Sequence, residues 1–165
     1  MLLPLPLQCV AARVASLFLL PVSTLWLSAA RADPVLTQAQ SELVAALRGK
    51  GFQVVFQHPP LKKAYGLFVA KRKILYISPL AFELGIGQPV LVHEAIHAAQ
   101  SCPTGVMSPI GWNLKTSKVV ANEISGILTQ SYHANKHLER EAFLGQAQVR
   151  AIPMVISALA KRCRP

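Results

Sequence analysis

The chain is predicted to fold as an α+β domain with a small antiparallel or mixed sheet, one motif-bearing helix and several C-terminal helices. Three observations carry that prediction. Short β-rich runs cluster between residues 52 and 78. A strongly apolar helical segment follows, bounded by Pro and Gly. Helical spacing then recurs from residue 117 to residue 161.

The elements follow in order. Thr37 to Arg48 carries Leu43, Ala46 and Leu47 between polar residues, which reads as an amphipathic helix ended by Gly51. Phe52 to Gln57 is β-rich through Val54, Val55 and Phe56. Gly66 to Ala70 and Lys73 to Ser78 are two further short β-rich runs, and the charged Lys71-Arg72 between them makes the pair a hairpin. Pro79 and the stretch Gly85 to Pro89 punctuate the connection to the next element. Pro89 suits the first position of a helix, where its missing N–H costs nothing, and Leu91 to Gln100 is that helix, stopped by Pro103-Thr104-Gly105. After a loop to about Lys115, Val120, Ile124, Ile127 and Leu128 space a helix over Ser117 to Tyr132. Another runs from about Leu138 to Ala151, and a short last one reaches Lys161.

The first 32 residues have the pattern of an export signal. Arg13 gives a positive n-region, Val14 to Ala29 an apolar run, and Ala30-Arg31-Ala32 small residues at the two positions a signal peptidase reads. An uncleaved membrane anchor is the alternative. Residues 33–165 then form one domain, placed in the periplasm or outside the cell, or tethered to the membrane if the signal stays. Cys9 would leave with the signal. Cys102 and Cys163 remain, and an oxidising compartment makes them one disulfide rather than two separate thiols. It would close a loop of about 60 residues.

The whole chain has 17 Lys and Arg against 7 Asp and Glu. Arg13 and Arg31 precede residue 33, which leaves 15 against 7 in the domain. That excess allows weak contact with an anionic membrane or polymer. The basic residues are dispersed apart from short clusters such as Lys71-Arg72-Lys73, and no aromatic interleaving marks a specific nucleic-acid platform.

His93-Glu94-Ala95-Ile96-His97 carries the chemistry. Histidines four apart in a helix share one face, so both imidazoles can meet one Zn²⁺. Glu94 is rotated to one side. There it reaches a metal-activated water without binding the metal, and can take a proton from the water and return it to a leaving amine. The flanking Val90, Leu91, Val92, Ala98 and Ala99 are apolar, so the polar residues of this helix must be satisfied internally, which metal ligation does. His133 and His137 form a second i, i+4 pair. They read as surface histidines, with a second metal site or, with Tyr132, an oxyanion donor as alternatives.

A strand pair, then "PVLVHEAIHAAQ", then a later helix with "EREAF", resembles the gluzincin branch of zinc metallopeptidases, and most closely its small, minimal members. The resemblance spans roughly Leu67 to Ala151. It implies a zincin-like fold, hydrolysis of peptide or protein substrates, His93 and His97 as zinc ligands, Glu94 as base, and a glutamate from a later helix as third ligand. It also implies that Lys73 to Ser78, or its partner strand, edges the cleft and pairs with extended substrate. The metzincin branch needs a glycine and a third histidine where this chain has Gln100 and Pro103, and is excluded. Glu141, Glu139 and Glu123 compete as third ligand. Around the helix, Glu141 lies roughly 70° from the apolar stripe of Leu138, Ala142, Gly145 and Val149, and Glu139 roughly 90° on its other side. Glu141 is preferred on that margin and on its Glu-Ala pair. Glu123 stands in an Asn-Glu pair like that opening the thermolysin-type ligand segment, but Ile127 takes the place of the expected aspartate.

Overall fold

The computed structural model describes residues 33–130 and 135–164. The expected signal or anchor, together with Tyr132 and His133, lies outside the described residues. Within them the architecture is α+β, with six α-helices and a three-stranded mixed sheet.

Helix α1 (Gln38–Gly49) starts on a reciprocal cap. Thr37 Oγ1 accepts from the Gln40 N–H at 3.3 Å, and the Thr37 N–H donates to Gln40 Oε1 at 2.9 Å. Its stop is Gly51, held at φ +80°, with the Gly51 and Phe52 N–H groups closing on the carbonyls of Arg48 and Leu47. Strand β1 (Gln53–Val55) pairs in parallel with β3 (Ile74–Ile77), and β2 (Gly66–Val69) pairs antiparallel with the other side of β3, with Phe68 opposite Leu75. The expected hairpin is therefore present. Its corner is a 3-10 turn over Ala70–Arg72 that ends on Lys73 in the left-handed region. β3 is central and buried, and β2 is an edge.

The approach to the motif helix differs from the sequence reading in two respects. The connection after β3 contains a short helix, α2 (Pro79–Glu83), with Ser78 at its N-cap position and Pro79 as first residue. Helix α3 begins at Gly87 rather than Pro89. Pro89 remains within the first turn, where none of the N–H groups has an intrahelical acceptor, so its missing donor is still harmless.

Helix α3 (Gly87–Gln100) runs through the middle of the molecule, and Leu91, Val92, Ala95, Ile96, Ala98 and Ala99 are each at most 1% exposed. One face meets the sheet. The rest packs against α1, α5 (Lys136–Gln146) and α6 (Ala151–Arg162), while α4 (Lys118–Gln130) leans on α5. Such an apolar helix is stable only when enclosed. Helix α5 stops at Gln146, so Val149, expected in its apolar stripe, lies beyond it and is fully exposed.

The C-terminal end of α3 is tied down twice. Cys102 and Cys163 form the expected disulfide. Arg162 donates from Nε to the Ala99 carbonyl in the last turn of the helix at 3.0 Å and from Nη2 to the Cys102 carbonyl just past it at 3.2 Å. Among the described residues no helix is long and apolar enough to cross a membrane.

Candidate metal centre

Helical spacing sets His93 and His97 one turn apart on α3, and their imidazoles meet edge to face, with ring centroids 4.7 Å apart. The two Nε2 atoms are 3.0 Å apart. Glu139, from α5, completes the group: one carboxylate oxygen is 3.2 Å from His93 Nε2 and the other 3.4 Å from His97 Nε2. All three side chains keep little surface, 12%, 9% and 14%.

Both imidazoles spend their Nδ1–H groups outward. His93 donates to Gln146 Oε1 at 2.9 Å and His97 to Gln100 Oε1 at 2.7 Å. That leaves two Nε2 lone pairs and a carboxylate facing one point. Acceptors so placed need a cation among them, a shared proton or a metal ion. Each separation is below about 4 Å, twice a Zn–N or Zn–O bond length, so one ion can touch all three. Two imidazoles and one carboxylate suit zinc, and outer hydrogen bonds to Nδ1 are what such ligands use to fix ring and tautomer. The donor set therefore fits the ion expected from the sequence.

Of the three candidate glutamates, Glu139 and not the preferred Glu141 is the one that lies against both imidazoles. The Glu141 carboxylate points to the opposite flank of α5, where it accepts from the backbone N–H groups of Ile110 (2.8 Å), Gly111 (2.7 Å) and Trp112 (3.0 Å) and from Gln100 Nε2 (2.9 Å). Glu123 is exposed on α4. His137 is exposed in a depression with Lys136 and Arg140, and belongs to no metal-holding group among the described residues.

Glu94 is 7% exposed and lines the same cleft as the histidines. Burial pushes its carboxyl up. The His93 and His97 charges pull it down, Glu139 pushes it further up, and a hydrogen bond from the Phe68 N–H opposes; the net shift is upward. For Glu139, burial also acts upward, but hydrogen bonds and charge from His93 and His97 outweigh it and hold the carboxyl far below its usual range. Burial lowers the His97 imidazole, yet its hydrogen bond to Glu139, the charges of Glu139 and Glu94, and the Gln100 contact leave it above its ordinary value. Burial raises Glu141 as well. The Gln100 hydrogen bond and the three backbone donors prevail, and its carboxyl sits low.

The cleft over the group has a volume of about 500 Å³. One wall is β2 with the preceding Leu61–Ala64 segment, the other Met107 and Phe143. A second recess of about 300 Å³, with Ile86, Pro89 and Val90, joins it across Gly66, Glu94 and His93. Gly66 allows this closeness: a Cβ there would come within 2.5 Å of Glu94 Oε1 and 2.8 Å of Val90 Cγ1. Gly145 does the same for α5 against α3, where a Cβ would lie 2.6 Å from Ile96 Cδ1.

Sequence reasoning missed Gln100, Phe143 and Gln146. Gln100 entered only as the residue that breaks the metzincin spacing. A signal was present, since Glu139, Phe143 and Gln146 stand at i, i+4 and i+7, one stripe of α5, and the Phe143 ring packs 4.6 Å from that of His93.

Comparison of the chain with protein-family models, with curated proteins and with solved structures finds no match.

Proposed function

We propose that this protein is a small zinc-dependent peptidase, with His93, His97 and Glu139 as metal ligands and Glu94 as general base. The single observation that supports it is the convergence of two Nε2 atoms and one carboxylate beneath an open cleft, with a separate buried carboxylate beside them. The resemblance to minimal gluzincins carries the same assignment, with Glu139 in the ligand role first given to Glu141.

A zinc ion held there supplies Lewis acidity, lowering the pKa of water and polarising a carbonyl. The residues of the chain do the rest. Glu94 is buried in the wall of the cleft beside the two histidines. It takes a proton from the attacking water and delivers it to the leaving amine as the C–N bond breaks. Strand β2 is a sheet edge along the cleft, so an extended peptide can pair along it. Gln100 and Gln146 hold the imidazoles so that the Nε2 atoms face inward. The Cys102–Cys163 bond favours action in an oxidising compartment, in line with the export pattern of the first 32 residues.

The test is hydrolysis of a peptide library by the purified protein, with and without a chelator. Expected are about one equivalent of zinc, chelator-sensitive cleavage restored by zinc, and loss of cleavage in Glu94→Gln. Stoichiometric zinc with no turnover on any peptide would instead make the domain a binding module. A protein purified without chelators that carries no zinc would sink the reading.

A further inference from the structure

We infer that Glu141 is a positioning residue for the metal centre, acting on His97 through Gln100; this rests on the zinc reading above. Gln100 is fully buried, and both protons of its amide nitrogen are spent, on the Leu138 carbonyl at 3.1 Å and on Glu141 Oε2 at 2.9 Å. Its orientation is therefore determined. A flipped amide would set Oε1 against a carbonyl and a carboxylate, and an NH₂ against the His97 N–H. Held as it is, Gln100 Oε1 accepts from His97 Nδ1–H at 2.7 Å and leaves the Nε2 lone pair for the ion.

Glu141 is fixed in turn. Three successive backbone N–H groups, from Ile110 to Trp112, enclose its carboxylate. The same loop returns to Gln100 through the Ser108 N–H, which donates to the Gln100 carbonyl at 2.9 Å, and it places Met107 in the cleft wall. One carboxylate thus couples the loop beside the cleft to the tautomer of a metal ligand. His93 lacks this arrangement. Its partner Gln146 is partly exposed, and no second hydrogen bond among the described residues orients that amide.

The experiment is a double-mutant cycle on the full chain, read as zinc affinity by competition with a chromophoric chelator. Glu141→Gln and Gln100→Leu are each expected to weaken zinc binding about 10–100-fold, the usual effect of an outer-shell partner. Glu141→Gln should cost almost nothing further in the Gln100→Leu background, because its effect runs through Gln100. An undiminished loss in that background, or affinity within twofold of wild type in the single variants, overturns the inference. Imidazole ¹⁵N shifts of the metal-free protein give a second readout that needs no zinc. They should report His97 as the Nδ1–H tautomer in wild type and a mixture in Glu141→Gln. A wild-type His97 protonated on Nε2 alone would also overturn it. Absence of zinc binding in wild type would defeat the peptidase proposal while leaving the tautomer measurement decisive for Glu141.

Discussion

Glu139 and Glu141 stand two residues apart on α5 and serve opposite flanks of it: Glu139 closes on the Nε2 atoms of His93 and His97, and Glu141 closes on Gln100 and a backbone loop. The chain has only seven acidic residues, and with Glu94 these make three of them in one small region. Each has a different task, so their substitutions should separate cleanly. Glu139→Gln removes a direct ligand and should weaken zinc binding by more than ~100-fold, beyond the range of an outer-shell change. Glu123→Gln, on the exposed face of α4, should leave affinity within twofold. Equal affinity for Glu139→Gln and wild type would return the third-ligand role to another residue.

Glu94→Gln should lower the hydrolysis rate by at least ~10²-fold while zinc still binds. It should also raise the melting temperature of the metal-free protein at neutral pH. The reason is the sign of the Glu94 shift. An acid whose folded pKa is raised pays nothing for folding below its unfolded pKa of about 4.3, and a growing penalty as pH climbs through the folded value. The gain in melting temperature should therefore be small near pH 4 and larger at pH 8. A variant that melts below wild type at pH 8 would show that the carboxylate stabilises the fold.

Glu139 and His97 have the opposite consequence. The lowered pKa of Glu139 gives stability that is complete above about 4.3 and lost as pH falls through the folded value. The raised pKa of His97 gives stability that is complete below about 6.5 and lost as pH rises through its folded value. Both contributions are whole between those limits, so the metal-free protein should be most stable in mildly acidic buffer. Zinc competes with the His97 proton, so the stabilisation zinc adds should grow from pH 6 to pH 8. Calorimetry with zinc and with a chelator at each pH checks both slopes. A zinc increment that shrinks with rising pH would contradict the ligand assignment.

Much of this was legible in the chain, for identifiable reasons. The motif helix declared itself because His93, Glu94 and His97 are the polar members of a segment otherwise fully apolar, and burial left them few roles. The hairpin was legible from two β-rich runs around Lys71-Arg72. The glutamate that faces the two histidines was not, because each glutamate was measured against one apolar stripe of α5. Helix α5 is covered on three sides: Leu138, Ala142 and Gly145 meet the core, Glu139, Phe143 and Gln146 meet the histidines, and Glu141 lies on the side turned to the loop. A difference of about 20° in their offsets from that one stripe could not choose among several buried sides. Gln100 was invisible as a positioning group because its value depends on Glu141 and Leu138, about forty residues away.

The disulfide anchors the motif helix α3 from its far end. Its closed loop of 61 residues corresponds to about 4 kcal/mol in the chain-entropy model. Cys102→Ser with Cys163→Ser should therefore lower unfolding stability by roughly 2–5 kcal/mol in a urea titration. Zinc affinity at low temperature should change little, since His93 and His97 sit within the helix and Arg162 still holds the Ala99 carbonyl of its last turn and the Cys102 carbonyl just past it. Loss of zinc binding in the folded double variant would mean that the bridge sets the geometry of the site and not only its stability.

Gly66 is the position where a single methyl group should separate metal binding from hydrolysis. It opens β2 at the wall shared by both recesses of the cleft. A Cβ there would lie 2.5 Å from Glu94 Oε1 and 2.8 Å from Glu94 Cγ, so the carboxylate would have to move. The alternative direction of relief is closed by Val90, whose branched side chain would sit 2.8 Å away and has little rotamer freedom within a helix. None of the zinc-facing atoms of His93, His97 or Glu139 is among these contacts. Gly66→Ala should thus bind zinc within a few-fold of wild type and lose about 10²-fold in kcat, the scale expected when a catalytic group is misplaced by about 1 Å. Wild-type turnover in Gly66→Ala would show that Glu94 works from a position other than the one it occupies beside β2.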